Sequence, residues 1–235
     1  MNIKGSVALV TGANRGLGLA FAKGLLASGS SKVYAGARDP GTIITPGLYP
    51  IKLDITQSAD IEAVAKACPD VTVLINNAGI LRAGGLLSEN SVDAARAQLE
   101  TNFFGTLAMS QAFAPILAAH GGGALVNILS VLSWINMPSV AAYCASKSAA
   151  WALTNGLRND LRAQGTLVVG VHAAFIDTDM AKSVPYPKIT PDEVVRQTLQ
   201  ALENGIEEVF ADAITRQVKS ALSMEQAPYL REAGS

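Results

Sequence analysis

The sequence predicts a doubly wound α/β domain: a seven-stranded parallel sheet with helices on both faces. Three observations carry this. Short β-branched runs alternate with longer segments of helical period along the chain, and strand–helix–strand repetition builds parallel sheets with right-handed crossovers. Several of the short runs are apolar throughout rather than alternating, as strands covered on both faces are. Finally, the 235 residues, 49% of them hydrophobic, contain no linker, low-complexity tract or internal repeat. One domain over residues 1–235 is therefore expected, with a core that needs no staples.

In chain order, strands are expected at 7–10, 32–35, 49–53, 72–75, 124–129 and 167–172, with a weaker seventh at 208–210. Helices are expected at 17–27, 58–67, 92–119, 142–163 and 192–203. Gly29 and Gly165 supply helix stops. Thr190 reads as an N-cap, Pro191 as a first-turn proline, and Asp192 and Glu193 as acids placed against the helix dipole. The 92–119 pattern is too long for an average helix, and a bend is expected around residues 102–105.

Composition narrows the function classes. The net charge is −1 and no run of like charges occurs, which argues against nucleic acid or an anionic membrane as partner. No apolar run approaches the roughly 18 residues a membrane span requires. The short basic start, Met1 to Lys4, precedes only residues 7–10 as an apolar stretch, too few for a signal peptide. A cytoplasmic protein is expected. Cys68 and Cys144 are far apart in sequence, with no CxxC spacing and no His cluster nearby, so reduced structural thiols are expected and no metal site.

The first strand-to-helix junction reads Thr11-Gly12-Ala13-Asn14-Arg15-Gly16-Leu17-Gly18. Glycines there let the backbone approach a pyrophosphate without a Cβ in the way, and the N–H groups of the following helix face the anion. A cluster of glycines serving only helix packing would leave Thr11 unexplained. This spacing resembles the short-chain dehydrogenase/reductase family, whose loop reads Thr-Gly-x-x-x-Gly-x-Gly. The resemblance implies a Rossmann-type fold, with Gly12, Asn14, Arg15, Gly16, Leu17 and Gly18 at a dinucleotide.

The end of the second strand, Ala37-Arg38-Asp39, bears on which dinucleotide. An acid there suits the 2′-hydroxyl of NAD, an arginine the 2′-phosphate of NADP. Arg38, helped by Arg15, points to NADP(H); Asp39 is read as one residue past the discriminating position. Asp54 and Ile55 resemble the family's adenine contacts. Asn76-Asn77-Ala78-Gly79 matches its Asn-Asn-Ala-Gly motif, which places Asn76, Ala78 and Gly79 beside the cofactor.

Tyr143-Cys144-Ala145-Ser146-Lys147 opens a helix, and i, i+4 spacing puts phenol and ammonium on one face. A cation near the phenol is expected to lower its pKa. Ser130 follows the fifth strand, at the carboxyl end where open α/β sheets bind ligands; Ser133 is a rival, but the family's Ser-to-Tyr interval favours Ser130. Asn102 interrupts the long helix. Asn102, Ser130, Tyr143 and Lys147 match the family's catalytic tetrad in order. The resemblance implies a carbonyl reductase or alcohol dehydrogenase: Tyr143 exchanges a proton with the carbonyl oxygen, Ser130 stabilises that oxygen, Lys147 holds the nicotinamide ribose, and Asn102 anchors a proton-relaying water.

The sequence departs from the family after the sixth strand, where Ala173-Ala174 replaces the usual Pro-Gly. Thr178 still matches the nicotinamide contact, with Ala174 and Ile176 lining the approach. Residues 181–189, with Pro185 and Pro187, are short for a substrate lid. Trp134, Met137, Leu81 and Phe175 are wall candidates, each equally suited to the core. With Ser130 and Tyr143 they favour an uncharged ketone or aldehyde and its alcohol. The resemblance implies a homo-tetramer or homo-dimer through residues 104–119 and 143–163, although burial within one chain would explain the same alanine-rich faces. An epimerase or dehydratase would carry a longer chain, and a non-catalytic dinucleotide sensor would lack the tyrosine or lysine.

Overall fold

The structure is a computed structural model that describes residues 1–230. Its strands are β1 (Val7–Thr11), β2 (Lys32–Ala37), β3 (Tyr49–Lys52), β4 (Val73–Asn76), β5 (Ala124–Ile128), β6 (Leu167–His172) and β7 (Glu208–Phe210). All pair in parallel in one sheet of order β3-β2-β1-β4-β5-β6-β7. From β1 the chain winds outward to β3, then returns past β1 to β4 and winds the other way. The reversal lies between β1 and β4, and such switch points open a crevice at the carboxyl ends of the strands.

The helices are α1 (Gly16–Ala27), α2 (Ser58–Ala67), α3 (Ser91–Leu99), α4 (Thr106–Ala119), α5 (Ala141–Asp160), α6 (Pro191–Asn204) and α7 (Ala213–Ala221). Because side chains alternate along a strand, the apolar strands feed two cores at once. Val10, Ile75, Val126 and Val169 face Phe21, Leu25, Val194 and Leu202 of α1 and α6. Their neighbours Leu9, Leu74, Leu125 and Val168 face Ile61, Met109, Phe113 and Leu157 of α2, α4 and α5.

The break expected around residues 102–105 is a π-helical segment, Glu100–Gly105, between α3 and α4. A Cβ on Gly105 would lie 2.8 Å from Ile55 Cδ1, so the glycine lets that segment press onto the loop after β3. Helix α5 ends at Asp160 rather than 163; a turn follows, closed by Gly165 in a left-handed conformation (φ +79°) with its N–H on Arg162 O. Helix α7 has no counterpart among the sequence expectations. Its signal was present: the Asp212 carboxylate accepts Thr215 N at 2.8 Å, an N-cap.

Candidate active site

The glycine loop between β1 and α1 is built for close approach. Gly12 (φ +65°) and Gly16 (φ +54°) are left-handed, the conformation glycine adopts without cost. A Cβ on Gly18 would overlap the Gly12 carbonyl oxygen and stand 2.5 Å from Asn77 Nδ2. Thr11 Oγ1 accepts Asn77 N at 3.0 Å and Ala78 N at 2.9 Å, and Asn77 Nδ2 donates to Thr11 O at 2.9 Å. The loop after β4 is thereby stitched to the glycine loop. Helix α1 has no side-chain cap and no acid in its first turn, so its N–H groups suit an anion such as a pyrophosphate. Asn14 and exposed Arg15 border this cradle, whereas the Leu17 side chain is buried in the core.

At the other end of the crevice, Arg38 is exposed and forms no ion pair among the described residues. Asp39 is occupied elsewhere: its Oδ1 accepts Gly41 N at 3.0 Å, capping a short 3-10 turn. Among the described residues the arginine stands unpaired at this end of the crevice, a position that suits a ribose substituent. Asp54 Oδ1 accepts Thr56 N and Oγ1, and Ile55 is buried against Gly105. The residues present fit a dinucleotide. Asn76 differs from its expected placement. Its side chain is buried in the sheet, donating to Asn127 Oδ1 at 3.0 Å and Ser110 Oγ at 3.3 Å, because it is the last residue of a strand covered on both faces. Asn77, one residue on, makes the contacts to the glycine loop.

The four residues of the expected tetrad meet at the carboxyl ends of β4 and β5. Ser130 opens a 3-10 turn; its Oγ accepts Leu132 N at 3.1 Å, and its single hydroxyl proton can turn either to Ala173 O, 3.4 Å away, or to the Tyr143 phenol. Asn102 is buried in the π-helical segment. Its Oδ1 accepts Ile80 N at 2.8 Å, and its Nδ2 donates to Ile80 O and Ser146 Oγ, each at 2.9 Å. Asn102 so clamps the chain just past Gly79, whose Cβ position lies 3.1 Å from Asn102 Oδ1. Ser146, fully buried and donating to Tyr143 O at 2.8 Å, links Asn102 to α5; the sequence reading did not single it out.

Lys147 Nζ donates to Ile128 O at 2.7 Å and lies 5.7 Å from the Tyr143 ring centroid. Burial pulls its ammonium down to about 8. The electrostatics of Tyr143 run opposite to the sequence expectation. Burial of the phenol pushes its pKa up, the neighbouring Cys144 adds to this, and a hydrogen bond from Ser130 draws it part of the way down. Desolvation of the buried phenol is the largest effect and sets the sign.

The segment after β6 forms the remaining wall. Ile176 and Ile189 form a parallel bridge, with Asp177 N on Ile189 O and Ile189 N on Phe175 O, both at 2.9 Å. Phe175 stacks on Tyr186 with centroids 5.4 Å apart. The residues around Ala174, Phe175, Pro187, Ile189 and Ile214 border a cavity of about 210 Å³. Thr178 approaches the Gly16 backbone, and the adjacent Asp179 pairs with Arg15 at 3.3 Å, both side chains 74% exposed. Ala174 N donates to Asp212 Oδ2 at 2.7 Å, which ties this wall to α7. Trp134 is placed differently from the wall position considered for it. It is 9% exposed and stacks on His172 with centroids 4.1 Å apart, because the 3-10 turn folds it back over the edge of β6. Cys68 and Cys144 are both free and buried.

Comparison with known proteins places this geometry in a family. Residues 6–188 match the family described as short chain dehydrogenase. The 3-oxoacyl-[acyl-carrier-protein] reductase FabG of Vibrio cholerae is 33% identical over 194 residues, spanning 78% of this chain and 79% of that protein. Gluconate 5-dehydrogenase of Gluconobacter oxydans is 31% identical over 225 residues, spanning 91% and 88%. A short chain dehydrogenase from Burkholderia cenocepacia J2315, solved in complex with NADP, superposes with a TM-score of 0.92 at 41% identity, covering 96% of each chain. A family protein from Burkholderia phymatum, solved with NAD, shares the fold at a TM-score of 0.87 and 23% identity. Among the described residues, no helix is long and apolar enough to cross a membrane.

Proposed function

The chain belongs to the short-chain dehydrogenase family, and from that premise we propose an NADP(H)-dependent enzyme that interconverts an uncharged ketone or aldehyde and its alcohol. The observation that carries the reading is convergence: Ser130, Tyr143 and Lys147 meet at the carboxyl ends of the strands, beside a glycine loop built for a pyrophosphate. When bound, NADPH supplies the hydride. Tyr143 gives its phenolic proton to the carbonyl oxygen, and the raised phenol pKa keeps that proton in place at neutral pH. The Ser130 hydroxyl donates to the same oxygen as negative charge builds. Lys147 and Asn102 hold α5 and the chain after β4 in register for this exchange.

Arg38 and Arg15 support NADP(H) over NAD(H): Arg38 is exposed and free of ion pairs among the described residues, and the 41% identical relative was solved with NADP. Gly12, Asn14, Gly16, Gly18, Ala78, Gly79, Ile176 and Thr178 complete the cofactor cradle in this reading, and Phe175 the substrate wall. The enzyme is taken as cytoplasmic and as a homo-tetramer or homo-dimer through α4 and α5, near which Phe104 stands 51% exposed. The test is NADPH and NADH oxidation against aryl and alkyl ketones, with Tyr143→Phe as control. NADPH-specific turnover that falls at least ~100-fold in Tyr143→Phe, with NADPH binding retained, is expected; near-normal turnover of that variant sinks the assignment.

A further inference from the structure

His172 ends β6 beside the catalytic turn and plays no part in the chemistry above. Its Nδ1 lies 3.1 Å from the carbonyl oxygen of Ser130. That oxygen can only accept, so Nδ1 carries the hydrogen and the lone pair sits on Nε2. The ring is fully buried and stacks on Trp134, with Phe210 6.0 Å away. Nε2 has no hydrogen-bond partner, and the Glu208 carboxylate of β7 stands 3.9 Å from it. Lys219 of α7 engages the other Glu208 oxygen at 3.4 Å and lies 5.1 Å over the Trp134 ring. Burial holds the imidazole down at about 4; Lys219, Lys147 and Arg158 push the same way and the Ser130 carbonyl opposes them. The ring is therefore neutral at working pH, with one tautomer selected by one carbonyl.

That carbonyl is the hinge of the 3-10 turn. It also accepts Ser133 N at 3.0 Å, while Leu129 N and Val131 N on either side reach Val171 O of β6 and Ala173 O just past its end. The Ser130 hydroxyl is aimed by the same turn, through Leu132 N. The geometry points to His172 as a positioning residue: its imidazole pins the Ser130 peptide so that the hydroxyl faces the Tyr143 phenol. The inference rests on Ser130 serving the proposed reaction.

The test compares His172→Leu, which fills the volume without a donor, with His172→Asn, which returns an N–H donor near the Nδ1 position. His172→Leu is expected to lower kcat at least ~10-fold, short of the ~100-fold for losing an oxyanion donor outright. KM and the NADPH dissociation constant, read by fluorescence titration, stay within ~2-fold. The pH profile of alcohol oxidation moves to higher pH, because a displaced Ser130 no longer draws the phenol pKa down. His172→Asn restores most of the loss. In a Ser130→Ala background, His172→Leu costs nothing further, since a residue acting through Ser130 has nothing left to act on. A full additional loss in that background, an unmoved pH profile, or a folded His172→Asn as impaired as His172→Leu overturns the inference. If His172→Leu does not fold, His172→Asn carries the cycle, and a ~10-fold loss in it overturns the inference alone. Normal turnover of Ser130→Ala by itself strikes instead at the proposed reaction.

Discussion

Replacing Gly18 with alanine introduces one methyl group where the glycine loop has no room for it. The added Cβ overlaps the Gly12 carbonyl oxygen and sits 2.5 Å from Asn77 Nδ2, roughly 1 Å inside ordinary contact. Gly18 has no left-handed φ, so alanine brings no backbone strain and the effect is purely steric. Asn77 is itself bonded to Thr11 O, and Gly12 O is backbone, so neither yields as a free side-chain end would. Overpacking of this kind costs about 1–3 kcal/mol. For a chain of this length that lowers the melting temperature by roughly 3–10 °C, and the displaced loop weakens NADPH at least ~10-fold. Gly156 in α5 is the matched control, because a Cβ there meets nothing within 4 Å; Gly156→Ala gains about 0.5–1 kcal/mol of helix propensity and raises the melting temperature. Differential scanning fluorimetry with and without NADPH reads both. A Gly18→Ala protein that melts and binds NADPH like the wild type refutes the packing argument.

Three further outcomes are expected. Asp179→Asn releases an exposed ion partner of Arg15; such pairs contribute up to ~1 kcal/mol, so NADPH tightens by no more than ~5-fold while NADH binding is unchanged, and an equal shift for both cofactors in isothermal titration counts against a 2′-phosphate role for Arg15. Asp212→Ala removes the α7 cap and leaves Ala174 N without its acceptor, a combined cost of about 2–4 kcal/mol that urea unfolding should register, with Asp212→Asn intermediate. His172 is depressed from 6.5 to about 4, so the unfolded chain takes up its proton first; this contribution to stability is complete above pH 6.5 and is lost as pH falls toward 4, on the order of 3 kcal/mol. Urea unfolding at pH 7 and pH 4.5 should show a smaller drop in His172→Asn than in the wild type, and equal drops would refute it.

The sheet was legible because strands covered on both faces are written as unbroken apolar runs, and 7–10 and 167–172 are such runs. The weak 208–210 stretch also forms its strand, held by parallel pairing with β6. The meeting of Ser130, Tyr143 and Lys147 was legible because Ser130 follows a strand and the other two lie one helical turn apart, and it was the family resemblance that singled them out together with Asn102. What escaped depends on contacts across the fold. Nothing local to Glu100–Gly105 says that the bend is π-helical; that follows from Asn102 reaching Ile80 and Gly105 meeting Ile55. The side on which Trp134 falls is decided by His172, thirty-eight residues on. The sign of the Tyr143 shift runs against the i, i+4 lysine because burial of the phenol, which no local spacing records, is the larger effect. Asn76 and Asn77 are adjacent and identical in kind, and only the pleat decides which one turns to the glycine loop.

The bridge between Ile176 and Ile189 gives residues 177–188 a fixed footing. Since the ends of that excursion are already joined, lengthening it adds only the slowly growing entropy of a larger loop, about 0.6 kcal/mol per doubling. The frame that carries Ser130, Tyr143 and Lys147 lies outside it. Under the proposed reaction, substrate range is thus an evolutionary variable separable from the chemistry: new residues can be spliced in beyond Thr178 while Ser130, Tyr143 and Lys147 are inherited unchanged.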